Sequence, residues 1–364
     1  MIAEKKRGAL RHALMGRRGR RVGNSRRKAL QWDAMAQFLD VALKVGDLTE
    51  FTADAVLFKY AQSLYGATGQ AARRLEQAGV PLAQLELAPG ATRLVETRGA
   101  LTARRALFVG TVRLGEFGYH EIRQFAVRAL AALENHSGLA HVAGTVHGPN
   151  YGLDEDEAVL AFVGGLVEAF QRGSGPQSLA RFTVVERNAS RAQRLAKAFA
   201  RGLSATPGVE TLPEGVFRVR RMSSVTQAPP LATAGTVSMA KPHAFVAMPF
   251  APELEDTYHY GIQGPVKAAR MLCERVDQEL FDGPIIQRIR ERIETAKVVI
   301  ADLSLANPNV YLEVGYAWGR GRPTLLLVRD VKELRFDVAS YRCIVYRNIR
   351  ELEQSLTKEL QRMD

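Results

Sequence analysis

Two carboxylates, Asp302 and Glu313, lie in the stretch from Ala296 to Trp318, where residue types and spacing are best suited to chemistry. Val298, Val299, Ile300 and Ala301 form an apolar run that ends on Asp302. Asn307-Pro308 then supplies a capping residue followed by proline at a first helical position. Beyond it, Val310, Val314 and Ala317 recur at helical spacing with Glu313 among them, so a strand, a turn and a helix are expected. In open α/β sheets this junction is where ligands sit. A carboxylate there can attack or can stabilise a developing cation, and substitution at a sugar C1 needs that because its transition state is oxocarbenium-like. Asn309 and Glu313 share one helix face with Tyr316 or Ala317. Phe250, at the end of the apolar segment His243 to Met248, would flank a base or nicotinamide ring. The plainer readings are that Glu313 lies on a solvated face and that Asp302 caps a turn. The apolar neighbours of Glu313 argue instead for a cleft.

The elements that must position these residues run from about residue 241 to 364. His243 to Met248 and Pro323 to Val328 read as further strands, and Ile344 to Tyr346 as a fourth. Tyr258 to Arg275 reads as helical. Pro284 begins a helix whose buried face is Ile285, Ile286, Ile289, Ile293 and Ala296, with Arg288, Glu291 and Arg292 on solvated faces. Continuous apolar strands between helices imply a parallel sheet covered on both sides. Upstream, residues 38–221 alternate short strands with amphipathic helices, including Tyr119 to Leu133 and a helix beginning at Asp154 with acids in its first turn. Residues 222–240, rich in proline, serine and glycine, read as a linker. The expected fold is α/β, with two three-layer domains: a mixed sheet in the first and a flavodoxin-like parallel sheet in the second.

Two family resemblances follow from quoted motifs. Phe245-Val246-Ala247-Met248-Pro249-Phe250, Ile300-Ala301-Asp302-Leu303, Asn307-Pro308-Asn309-Val310 and Tyr311-Leu312-Glu313-Val314-Gly315-Tyr316-Ala317 resemble the nucleoside 2-deoxyribosyltransferase superfamily. They are similar in particular to its TIR-like branch, found in bacterial defence and signalling proteins. The resemblance implies Glu313 as the catalytic carboxylate, Asp302 as a contact to sugar or base, and Asn309, Phe250, Met248 and Tyr316 around the substrate. The transferases carry a second Asp shortly before the Glu, and Asn309 is the nearest match, which suits N-glycosidic cleavage, with NAD as substrate, better than base exchange. In the first domain, Gly46-Asp47-Leu48-Thr49 and Asp54-Ala55-Val56 resemble the opening of macro domains, and the run from Arg104 through Phe170 resembles the N-terminal domain of leucyl aminopeptidases. The macro resemblance implies Asp47 against adenine and the loop containing Gly66 and Gly69 against phosphates. The family's asparagine-rich segment is here Phe58-Lys59-Tyr60-Ala61, which implies binding rather than ADP-ribose hydrolysis.

Charge needs dissection before it is used. The net charge is +12, but residues 1–31 hold eleven basic residues against Glu4, so the rest of the chain carries only two positive charges in excess. The basic tail, 1–37, reads as a disordered extension in preference to a nucleic-acid arm, since no aromatic residue interleaves the basic residues of 1–31. No apolar run reaches membrane-spanning length. Two cysteines, Cys273 and Cys343, at no metal-ligand spacing, point to a reducing, cytoplasmic setting without a bound metal. The expected partner is a nucleotide or nucleoside, with a homo-oligomer as the assembly and no cofactor beyond NAD as a substrate. Two alternatives stay open: a deoxyribosyltransferase, and a non-catalytic nucleotide-binding signalling protein.

Overall fold

The computed structural model describes residues 37–363 apart from 65, 150, 223–228 and 277–283, so the basic tail and Tyr65 of the Gly66 loop lie outside the described residues. The first sheet is built from β1 (Phe38–Val45), β2 (Ala55–Tyr60), β3 (Thr92–Glu96), β4 (Arg105–Gly110), β5 (His141–Gly144), β6 (Arg181–Glu186), β7 (Val209–Leu212) and β8 (Val216–Arg220). Its order is β3-β4-β2-β5-β6-β1-β8-β7. The five central strands are parallel, and β3, β7 and β8 add antiparallel edges. The edge strands β3, β7 and β8 escape the sequence pattern because at most two side chains of each are buried, and none of β7.

Helices cover this sheet on both faces. α1 (Gly66–Gln77) packs Ala71, Ala72 and Leu75 on Val56, Phe58 and Phe108. α2 (Tyr119–Leu133), α3 (Glu155–Gln171) and α4 (Ala189–Ser204) pack on the opposite side against Leu57, Val142 and Phe182. α3 is apolar almost all round and buried along its length, as expected of a helix enclosed between two others.

The second sheet contains β9 (His243–Ala247), β10 (Leu272–Glu274), β11 (Val298–Asp302), β12 (Thr324–Val328) and β13 (Cys343–Val345), all parallel, in the order β10-β9-β11-β12-β13. This is the flavodoxin-like order, whose switch point lies between its first and third strands, here β9 and β11. Alternate residues of β9 serve the two faces. Ala244 and Val246 meet a π-helical turn (Thr257–Ile262) and α9 (Ile349–Gln361), and Phe245 and Ala247 meet α7 (Pro284–Thr295) and α8 (Pro308–Gly319). The expected helix over Tyr258 to Arg275 is cut short: α6 (Gln263–Ala268) ends it, and Leu272–Glu274 is the edge strand β10. Among the described residues, no helix is long and apolar enough to cross a membrane.

The described part of the expected linker is packed rather than open. α5 (Pro229–Thr233) and the turn after it bury Leu231, Ala234 and Ser238. Arg123 Nη1 donates to the Leu231 and Ala234 carbonyls at 2.6 and 2.9 Å, and the Ser238 hydroxyl donates to Glu157 at 2.5 Å.

The expectation for α7 also changes. Ile289, Ile293 and Ala296 are buried, but Ile286 is 57% exposed, whereas Arg288 and Arg292 are buried. Arg292 faces Glu274, which has no exposed surface, and its Nε donates to Glu274 Oε2 at 2.5 Å. The other carboxylate oxygen accepts the Tyr119 hydroxyl from the first unit at 2.7 Å. Tyr119 in turn accepts the Asp154 N–H at 2.8 Å, while Asp154 caps α3 through Glu157 N and accepts the Cys273 N–H, each at 3.0 Å. Burial raises the Glu274 carboxyl against the pull of Arg292, and it lowers the nearby His243 to about 4. Removing one member of a buried ion pair strands the other. Arg292→Met is therefore expected to cost about 3 to 5 kcal/mol in urea titration. Adding Glu274→Gln to it should recover most of that loss, and an equal loss in the single and double variants would show that the stranded charge is not the cause.

Candidate functional site

α8 forms where the sequence placed it. Asn307 caps it by accepting the Asn309 N–H at 2.9 Å, and Pro308 occupies its first turn. The helix buries Val310, Val314 and Ala317 and, with them, Glu313 at 8% exposure. Glu313 lines a cavity at the β9–β11 switch point together with Met248, Phe250, Val276, Asn307 and Asn309. The cavity is small, about 40 Å³, space for a water-sized group rather than a sugar ring.

Of the residues expected at this site, Glu313, Asn309, Phe250 and Met248 converge, while Asp302 and Tyr316 do not line the cavity. Asp302 is fully buried and accepts the Tyr346 hydroxyl at 2.6 Å and the Ser304 N–H at 3.0 Å. Burial raises its pKa, and the hydrogen bonds from Ser304 and Tyr346 oppose that rise. Its observed work is to tie the end of β11 to the chain after β13. That tie steadies the loop to α8, where Leu305 and Ala306 adopt left-handed φ values of 65° and 45°. Such conformations are costly for residues other than glycine. Glu333 holds the loop by accepting the Leu305 N–H at 2.9 Å. Tyr316 faces α7, where its hydroxyl donates to Glu294 and its ring lies near the guanidinium groups of Arg290 and Arg320.

Phe250 is not bare. The Arg275 guanidinium stacks over its ring at 4.1 Å and over Tyr258 at 3.9 Å, and it pairs with Glu255 at 3.0 Å. Hydrogen bonding from His259 holds the Glu255 carboxyl down to about 2, with Arg275 adding to the effect against burial. Phe250 and Arg275 also line a second cavity of about 460 Å³ between the two units, opposite Arg191 and Arg194 on α4. Sequence reasoning passed over Arg191, Arg194, Arg275 and His259, although arginines three apart at the start of an amphipathic helix are a visible signal.

The ligand residues expected in the first unit are dispersed. The Asp47 carboxylate accepts the Thr49 N–H at 2.9 Å and its hydroxyl at 2.6 Å, a local turn that lowers its pKa. Gly66 starts α1 with a φ of 54°. Gly69 sits where a Cβ would meet the Leu64 carbonyl oxygen at 3.1 Å, so it permits the close start of the helix. None of the three lines the cavities described here. At the carboxyl end of β2, Lys59 is buried with its Nζ 3.9 Å from the Phe117 ring centre and 5.3 Å from that of Tyr151. Tyr151 in turn forms a β-bridge with Val276 of the second unit.

No protein-family model and no curated protein matches the sequence. Among solved structures, a macrodomain of Oceanobacillus iheyensis is similar at 15% identity and a TM-score of 0.35, over 44% of this chain and 89% of that one. A Trypanosoma brucei macrodomain in complex with ADP is similar at 20% identity and a TM-score of 0.36, over 44% of this chain and 68% of that one. The 2-desoxiribosyltransferase from Leishmania mexicana is similar at 20% identity and a TM-score of 0.23, over 30% of this chain and 76% of that one.

Burial lowers the Lys59 ammonium from 10.5 to about 7. Between those values the unfolded chain binds a proton that the folded chain does not, so this residue makes stability rise with pH through that window. Below it the full penalty for burying the charge remains. Lys59→Met is therefore expected to raise the melting midpoint more at about pH 6.5 than at about pH 10. A gain independent of pH would show that burial of the charge is not the cause.

Proposed function

We propose that the second unit cleaves the N-glycosidic bond of a nucleotide, with NAD as the leading substrate and Glu313 as the carboxylate at the reacting carbon. The observation that supports this most is the convergence of Glu313, Asn309, Asn307 and Phe250 on one cavity at the switch point of a parallel sheet. In the proposed step the bond from C1 of the ribose to the base nitrogen breaks, and its electron pair leaves with the base. A nicotinamide departs neutral because its ring nitrogen starts positively charged, so it needs no acid. Glu313 stabilises the oxocarbenium ion or traps it as an ester, and water then adds at C1 and gives up a proton. The Asn307 and Asn309 side chains supply amide groups for the sugar hydroxyls. Asp302 acts as a brace for the loop rather than as a substrate ligand.

The 40 Å³ cavity does not hold a ribose, so substrate entry requires Phe250 and Met248 to shift outward. The same smallness favours a second reading, in which the unit senses a nucleotide without turning it over and the first unit contributes to binding. Macro domains similar to the first unit include one in complex with ADP and one with ADPR, which agrees with nucleotide recognition in either reading.

Incubation with NAD and with deoxynucleosides, followed by product analysis, separates the readings. The wild-type protein is expected to release free base, and Glu313→Gln is expected to slow release by about a hundred- to a thousandfold, a loss typical of removing one group that stabilises transition-state charge, while the melting curve is retained. Binding without release, unchanged in Glu313→Gln, would establish the sensing reading and overturn the enzymatic one.

A further inference from the structure

The larger cavity between the two units has a composition that the Glu313 cavity lacks. The first unit presents Arg191 and Arg194 of α4 beside Glu155, and the second unit presents Arg275, His259 and Phe250 beside Glu255. Phe250 lines both cavities, so the two compartments meet at that ring. The guanidinium groups are held by resident carboxylates. Arg191 pairs with Glu155 at 3.3 Å and Glu186 at 3.4 Å, Arg194 with Glu155 at 3.2 Å, and Arg275 with Glu255 at 3.0 Å. These pairs fix the orientation of the three groups without using all their donors: Arg191 Nη2 and Arg194 Nη1 enter none of these contacts.

Two further atoms point to an occupant. His259 has a side chain only 4% exposed, and its Nδ1 is buried without a hydrogen-bond partner among the described residues. Arg191 Nε is likewise buried, and its approach to Glu155 lacks hydrogen-bond geometry. Buried polar atoms left in this state are costly; a ligand that accepts hydrogen bonds would relieve Arg191 Nε directly, and His259 Nδ1 in the imidazolium form, since His259 Nε2 already faces the Glu255 carboxylate. At about 460 Å³ the cleft also falls within the size range of ligand sites.

We infer that this cleft is the phosphate compartment of a composite site, taking the diphosphate of a nucleotide whose sugar is directed past Phe250 toward Glu313. The inference rests on the reading of the Glu313 cavity as the sugar end. Guanidinium groups suit this role because their donors match phosphate oxygens in pairs. The arrangement assigns work to both units: α4 of the first supplies two of the three arginines, and the second supplies the third together with the reacting carboxylate. Specificity would then favour nucleotides over nucleosides.

The test uses the full chain and inorganic pyrophosphate as probe, with binding read by calorimetry. Arg194→Ala is expected to weaken pyrophosphate binding at least about tenfold, because it removes charge-assisted hydrogen bonds. Arg201→Ala is the control, since Arg201 lies on the same helix but pairs with Asp156 outside the cleft, and it is expected to leave binding unchanged. Glu313→Gln should also leave pyrophosphate binding unchanged. Absence of saturable binding, or an equal loss in Arg194→Ala and Arg201→Ala, would overturn the inference. Base release from a nucleoside without phosphate, abolished by Glu313→Gln and unaffected by Arg194→Ala, would overturn it while leaving the enzymatic reading intact. Arg194-dependent pyrophosphate binding without release from any nucleotide would support the cleft and remove the enzymatic reading.

Discussion

The position of the candidate site depends on one buried carboxylate. Glu274 lies on the edge strand β10, fully enclosed, with Arg292 of α7 on one side and Tyr119 of the first unit on the other. Arg275 and Val276 follow it directly, the first stacking on Phe250 and the second lining the Glu313 cavity. If β10 moved relative to α3 and α7, both walls would move with it. A buried charge pair gives little net stability, but breaking it is costly, and this pair within the second unit reaches the first through the Tyr119 hydroxyl on Glu274 Oε1.

The same docking treats the two sheets unequally. In the second, the end of the parallel strands keeps a cavity with a carboxylate in it. At the corresponding end of the first, the Phe117 and Tyr151 rings lie over the buried Lys59, and Tyr151 bridges to Val276. Gly152 permits this approach. It has a φ of 80°, its N–H donates to the Arg275 carbonyl at 3.1 Å, and a Cβ there would meet Val276 at 2.9 Å. Gly152 therefore serves the contact between the two units.

Much of the scaffold was legible because periodicity survives in long elements. Tyr119–Leu133 and the helix capped by Asp154 follow from the spacing of apolar residues and from the acids of the first turn. The cap at Asn307-Pro308 and the burial of Glu313 also follow local rules. Three-residue β10 did not, because Leu272-Cys273-Glu274 is too short to show alternation and its Glu reads as polar surface. Arg288 and Arg292 were misread for a related reason. A charged residue opposite an apolar stripe is normally solvated, whereas here Glu274 of β10 receives Arg292 and the Gly115 carbonyl of the first unit receives Arg288, partners that local pattern does not reveal.

The distinction between Asp302 and Glu313 shows what spacing can and cannot decide. Both are buried acids near the same sheet end, and both match the expected motif. Asp302 has one oxygen engaged by Tyr346 and the other by Ser304, contacts that come from residues 44 and 2 positions away. Spacing within the motif cannot reveal the long-range partner, so a structural brace and a ligand contact look alike in sequence. Glu313 is separated from Asp302 by a loop with two consecutive left-handed residues, and that turn directs the helix carboxylate into the cavity. Strain of this kind persists only when the surrounding contacts overdetermine it. Asp302, Ser304 and Glu333 supply those contacts, so the place of Glu313 in the cavity depends on Asp302 through the loop between them.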